Sequence, residues 1–258
     1  MDNFISEYTK TCKRIVEKYG YKHKKRVFVR VINDVCQSFF VEKLGLTPNG
    51  RKCRVCFAVL PLCQRLDEKQ VLDGIGKYSL KNFETAHWTK GDCWYYKTDP
   101  SSIKECISEI MRYIMIYLLP FFERANNCNS ALQELINIEK LFNDNRKASL
   151  ELAGIADNAG LYAELNILDS AKYYMALKNN DFDFALNSRK ALEHNNANAY
   201  NSAFERGEMT EEAQLLREKD LEELREEIKN LEARNLNYFR RLIEENEISS
   251  REALRDIL

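Results

Sequence analysis

Beyond residue 128 this 258-residue chain has no cysteine, no proline and no tryptophan. Its eight cysteines (12, 36, 53, 56, 63, 93, 106, 128), four prolines (48, 61, 100, 120) and two tryptophans (88, 94) all lie in the first half. The later sequence is instead rich in Ala, Leu, Asn and Glu at helical spacing, which places a domain boundary near "ERANNCNS" (123–130). A bilayer-spanning run is also missing. The longest apolar stretch, "IMRYIMIYLLPFF" (110–122), is too short, and Arg112 and Pro120 interrupt it; it reads as a buried core helix. The opening "MDNFISEYTK" shows no apolar leader segment. A cytoplasmic protein is therefore expected, with its cysteines as free thiols rather than bridges.

Catalytic signatures are missing too. There is no G-x-S-x-G, H-E-x-x-H, G-x-x-x-x-G-K-[ST] or G-x-G-x-x-G. "DGIGKYS" (73–79) lacks phosphate-loop spacing and reads as a turn. With three histidines (23, 87, 194) a Cys93–His87 dyad can be drawn. On a hairpin turning at Lys90-Gly91, however, position 93 lies opposite 88, not 87. An enzyme is not the expected reading, and no cofactor is expected.

What is present is a charge split hidden in a net charge of −1. Residues 1–54 carry 13 Lys or Arg against 5 acids, and residues 205–258 carry 10 against 16. The first half opens with an amphipathic helix over 3–19, with Phe4, Ile5, Tyr8, Cys12, Ile15, Val16 and Tyr19 on one face and Gly20 as its stop. "RVFVRVINDVCQSFFVEKL" (26–44) then predicts two strands turning at Asn33-Asp34. Ile32 would pair with Val35, Arg30 with Gln37, and Phe28 with Phe39. The other face would pair Val31 with Cys36, Val29 with Ser38, and Val27 with Phe40. A loop, "GLTPNG", precedes a third strand over 53–60, and a second hairpin falls at 87–96. Asp99 and Pro100 open a long helix, with Ser102 and Glu105 at capping-box spacing. The fold class expected for 1–128 is α+β, an antiparallel sheet flanked by helices, followed by an all-α helical-repeat-like region over 129–258.

The N-terminal helix, the basic "YKHKKRVFVR", the strand bearing Gln37-Ser38 and the apolar "VCFAVLPL" resemble a bacterial family catalogued as domain of unknown function 4304. The likeness covers residues 1–125. It implies a fold and nothing catalytic.

In the second half the pattern predicts helices over 130–142, 146–156, 160–178, 182–194, 197–206 and 209–245. A last short helix starts in "SSREALRDIL", with Ser249 and Glu252 as a capping box. "LKNNDFDFALNSRKALEHNN" (177–196) is similar to a tetratricopeptide repeat. Asp181-Phe182 stands at its turn, and Ala185 is the small residue that lets helices approach; the likeness extends over 165–196. In the charged helix, Leu221, Leu224, Ile228, Leu231, Asn235, Tyr238 and Leu242 alternate three- and four-residue steps. That is a heptad seam with Asn at one position. It fits either packing within the chain or pairing of residues 211–245 with another helix, including a second copy.

Two candidate sites remain. Cys53-x-x-Cys56, with Cys63 nearby, has zinc-knuckle spacing but no second knuckle. If 53–60 is a strand, Cys53, Val55, Phe57 and Val59 share one face, and Arg54, Cys56, Ala58 and Leu60 the other, so the two thiols point apart. Structural thiols are expected, and no metal. The basic group Lys22, Lys24, Lys25 and Arg26 reads as a solvated loop. Alternatively it forms a phosphate-binding patch with Arg30, Gln37, Arg51, Lys52 and Arg54, and with stacking from Trp88, Trp94, Tyr95 or Tyr96. The expected function is a non-catalytic interaction or adaptor protein with a protein partner and no membrane partner. A nucleic-acid- or anion-binding module on the basic front is the alternative.

Overall fold

The computed structural model describes residues 3–48, 50–73, 78–84, 92–152, 169–206 and 210–256. An N-terminal antiparallel sheet with helices leads into an all-helical region, as expected. Helix α1 (Phe4–Val16) buries Phe4, Tyr8, Cys12 and Val16 at four-residue steps. A 3-10 turn carries it to Gly20, whose φ of 82° is the left-handed conformation that ends it.

Strands β1 (Lys22–Lys24), β2 (Val27–Ile32), β3 (Val35–Thr47) and β4 (Gly50–Pro61) follow in order, each pairing with the next. All six pairs expected across Asn33-Asp34 are present, and Asn33 takes the positive φ (53°) that so short a turn requires. The loop expected at "GLTPNG" is instead the far end of one long hairpin. β3 and β4 stay paired out to Thr47 and Gly50, with an irregularity between Lys43 and Gly45 that absorbs an extra residue. A Cβ on Gly50 would sit 2.6 Å from the Tyr96 carbonyl oxygen, so the tip needs glycine to let the neighbouring strand pass. That neighbour is β6 (Trp94–Tyr96). It shares the outer edge of β4 with β5 (Tyr78–Ser79). The turn expected at Lys90-Gly91, with His87 and Trp88, lies outside the described residues.

One sheet face carries Phe28, Phe39 and Phe57 in register. Tyr8 of α1 packs edge-on to Phe28, and Phe121, Phe122 and Phe142 surround Phe57. Each such ring contributes about 1.5–3 kcal/mol of burial. The opposite face is buried as well, through Val27, Val29, Cys36, Phe40, Cys56 and Ala58. Lys24, on that face, reaches Glu68 of α2 (Glu68–Asp73) at 3.1 Å.

Asp99 caps α3 (Pro100–Tyr113) by accepting from the Ser102 N–H at 2.9 Å. Asp99, not Ser102, is therefore the cap, and the Ser102 hydroxyl accepts from the Lys97 N–H at 2.8 Å. A π-turn, Ile114–Leu118, joins α3 to α4 (Leu119–Arg124). Pro120 explains it: the ring lacks an N–H and would clash with the carbonyl of residue 116 in a regular helix, so the preceding turn widens.

The helical region differs from the expected segments in four places. α5 (Cys128–Leu152) runs through the break expected at 143–145. Asn and Asp there weaken a helix only slightly, and Asn145 is used to donate to the Asn82 carbonyl. After α6 (Asp169–Lys178), α7 (Phe182–Glu205) likewise runs unbroken through 195–196. The long helix expected over 209–245 is two, α8 (Glu211–Glu232) and α9 (Leu236–Ala253). Arg234 turns at φ 47°. Asn235 is not a seam residue but the N-cap of α9, accepting from the Tyr238 N–H. An Asn fits a heptad and a cap equally well in sequence; the unpaired N–H groups of a helix start favour the cap. Finally, residues 249–253, expected to open a short separate helix, are the last turn of α9.

α9 returns to the sheet. Asn246 donates to the Cys63 carbonyl (2.9 Å). Ser250 donates to the Leu62 carbonyl (2.6 Å) and accepts from the Leu66 N–H (2.7 Å). The buried core runs unbroken from Phe4 to Leu254. Among the described residues no helix is long and apolar enough to cross a membrane.

Candidate interaction surfaces

The basic residues flanking β1 do not act as one group. Lys24 is tied to Glu68 and to the Asp256 carbonyl. Arg26 lies over the Phe40 ring at 5.3 Å. Lys25 occupies the tight turn at φ 57°, and Lys22 is exposed on the edge strand. Burial together with Lys13 on α1 pushes the His23 pKa down, which places α1 beside this edge. Lys10, Arg14, Lys18, Lys22 and Lys25 are exposed or half-exposed, and none shows a carboxylate partner among the described residues.

Arg30 and Gln37 belong to the interior. Gln37 Oε1 accepts from Arg30 Nε and Nη2 and from the Tyr21 hydroxyl, while its amide donates to the carbonyls of Phe122 (2.6 Å) and Ala125 (2.9 Å). Arg30 also donates to the Tyr19 carbonyl and pairs with Glu123 at 2.9 Å. The cluster joins the first hairpin, the end of α1 and the end of α4. Tyr21, buried within it, has its pKa pushed well up by desolvation despite the nearby guanidinium. Arg54 sits between Glu42 (2.9 Å) and Asp92 (3.1 Å), so its charge is balanced locally. Trp94 is only 2 % exposed, edge-on to Tyr113 and under the Lys81 ammonium. It offers no ring face for stacking a base. Its indole N–H has no hydrogen-bond partner among the described residues. Tyr96 is buried, and Tyr95 is the exposed ring of the strand.

All eight thiols are free and buried. Cys53 pairs in register with Lys43 and Trp94, and Cys56 with Phe40 and Ser79, so the two occupy opposite faces. Cys56 meets the Glu42 carboxylate at 3.9 Å. Burial pushes Cys12 and Cys36 up to about 12. Burial with the Asp92 carboxylate takes Cys93 to about 11. The Cys106 thiol and burial hold Cys53 higher still, as the Cys63 thiol and burial do for Cys128. None of these five is a nucleophile near neutral pH.

In the helical region, α6 and α7 form a hairpin across Asn179, Asn180 and Asp181. Asn180 is left-handed, and the Asp181 carboxylate accepts from the Phe184 N–H. Ala185 is fully buried between them. A second hairpin pairs α7 with α8. Leu221, Leu224, Ile228 and Leu231 are buried along it. Arg189–Glu227, Glu193–Arg225 and Tyr200–Glu218 lock the antiparallel register. The first four seam residues therefore serve packing within the chain, while Tyr238 and Leu242 of α9 pack partly buried against the core.

Outward from Arg189, the α7–α8 hairpin leaves the core. None of the described side chains from Lys190 to Asp220 is buried. At 1.5 Å per residue, Lys190–Glu205 makes an arm of about 23 Å. Leu215 and Leu216 on its outer face are 67 % and 61 % exposed. Sequence reading passed over them, yet a signal was there. Carried back one heptad, the seam falls on Gln214 and Arg217, so the two leucines lie out of phase with it.

A second uncovered surface is a groove of about 510 Å³ between α1 and α3. Ile15, Ile103, Ile107 and Met111 line it, with Glu7 and Lys104 at its sides. Comparison of the chain with protein-family models, curated proteins and solved structures found no match.

Proposed function

We propose that the protein is a non-catalytic interaction protein that engages a protein partner through the α7–α8 arm. The observation that carries this reading is the adjacent Leu215 and Leu216, solvent-exposed on a helix pair that no core supports. Exposed leucines on a charged helix are the anchors of helix-in-groove recognition. The sheet and its helices then act as the platform that holds the base of the arm. The burial of all eight thiols and the absence of a convergent polar cleft among the described residues favour binding over chemistry.

A second reading rests on the cations of α1 and β1. Lys10, Arg14, Lys18, Lys22 and Lys25 give that side a polyanion-attracting field. It is the weaker reading, because Arg30, Gln37, Arg54 and Trp94 are engaged elsewhere.

A photo-crosslinking amino acid placed at 216 or at 26 in the full-length chain, irradiated in cells, separates the two. The arm reading expects protein adducts from 216 and no nucleic-acid adducts from 26. Nucleic acid captured at 26, with nothing captured at 216, would reverse it.

A further inference from the structure

We infer that the arm's partner is a second copy of this chain, whose α1–α3 groove receives the outer face of α8. The inference rests on the arm reading above and names its occupant.

The helical geometry of the two surfaces matches. On α8, Glu211, Glu212, Leu215, Leu216, Glu222 and Glu223 fall on one face at steps of three, four and seven, opposite the leucines that pack on α7. That face is two leucines in an acidic surround; its one cation, Lys219, is paired with Glu223. The groove is apolar with more basic than acidic charge around it. Its floor is Ile15, Ile103, Ile107 and Met111, with Glu7 on its α1 side and Lys104 on its α3 side. Arg14, three residues on from Thr11 and seven from Glu7, projects on the same face of α1 as those two groove residues, and Lys10 borders it. Neither cation has a carboxylate partner among the described residues. A helix laid between α1 and α3 would bury Leu215 and Leu216 on the isoleucines and set acidic side chains beside Arg14, Lys10 and Lys104. The charge split seen along the sequence thus resolves into two complementary surfaces on one molecule.

The contact uses different patches on the two copies, so it is head-to-tail. A pair so joined keeps one arm free on one copy and one groove free on the other, and assembly continues until a ring closes. Salt weakens it by screening the charged surround.

Light scattering across a range of concentrations tests this with three full-length proteins. The wild type is expected to grow in mass with concentration, less so at high salt. The arm variant Leu215→Ser/Leu216→Ser and the groove variant Lys104→Glu/Ser108→Glu are each expected to stay monomeric. Both change exposed positions, and circular dichroism confirms that they fold. Mixed, the two variants retain one intact arm and one intact groove, and must give a 1:1 dimer that grows no further. A wild type that stays monomeric at every concentration overturns the inference. So does a mixture that remains monomeric while the wild type assembles. Protein adducts from position 216 alongside a monomeric wild type would leave the arm reading standing and remove only the second copy as its partner.

Discussion

Arg30 and Gln37 face each other across the first hairpin, and the Gln37 side-chain oxygen takes two guanidinium N–H bonds, at 3.0 and 2.8 Å. Because the same amide holds the carbonyls of Phe122 and Ala125, one side chain fastens the sheet to the end of α4. Gln37→Leu keeps the approximate volume but strands all of these groups. The expected loss is about 3 kcal/mol, the order found for orphaned buried polar groups. Urea denaturation of the variant checks it; a loss within error of zero contradicts the structural role.

A second buried tie links the halves. Lys172 of α6 reaches Glu139 of α5 at 2.6 Å and Asp169 at 3.0 Å, and the Tyr78 hydroxyl donates to Glu139. Breaking such a pair on one side leaves an uncompensated charge and costs about 3–5 kcal/mol. Lys172→Met and Glu139→Leu should each destabilise strongly, and the double variant should recover much of the loss. A double-mutant cycle with additive effects would show that the pair is not coupled.

The thiols give a chemical test of burial. In mildly alkaline buffer the native chain should react with Ellman's reagent at far fewer than its eight cysteines, and at all eight once denaturant is added. Rapid native reaction at Cys36, mapped by mass spectrometry, would contradict the sheet packing that encloses it.

Glu84 supplies a pH dependence. Partial burial raises its pKa, but the Tyr113 and Tyr117 hydroxyls and Arg112 outweigh this and hold it below the usual range. A carboxyl with a lowered folded pKa binds fewer protons than the unfolded chain. Its stabilisation is therefore complete above the ordinary glutamate value, about 4.3, and is lost as pH falls through the folded value. Glu84→Gln should lower the thermal midpoint at neutral pH and flatten its decline on the acid side. An unchanged slope below about pH 4.3 would contradict the assignment.

The sequence made the first hairpin legible down to its register, because apolar alternation and a two-residue turn leave little freedom. The same alternation separated Cys53 from Cys56. It could not show that both faces of β4 are covered, since burial of the second face depends on contacts distant in sequence. Helix ends in the second half were hard to read for a related reason. Asn and Asp at 143–145 and 195–196 resemble breaks but weaken a helix interior too little to end it, while Asn235 resembles a seam residue and is a cap. Arg30 and Gln37 looked like surface recognition residues because type and spacing say nothing of the carbonyls at Phe122 and Ala125. The arm was half visible: the spacing of Leu221, Leu224, Ile228 and Leu231 marked an apolar stripe without saying whether it faced this chain or another helix, and the out-of-phase Leu215 and Leu216 acquire meaning only once the core beneath them is seen to end.

Hydrogen–deuterium exchange on the full-length chain, compared between dilute and concentrated solution, tests the central claim most directly. Head-to-tail docking predicts that amides of 211–223 and of the facing turns of α1 and α3 gain protection together as concentration rises, while the buried Leu224–Leu231 stretch does not change. Equal exchange at both concentrations, or new protection confined to the β1 edge and its lysines, would contradict it.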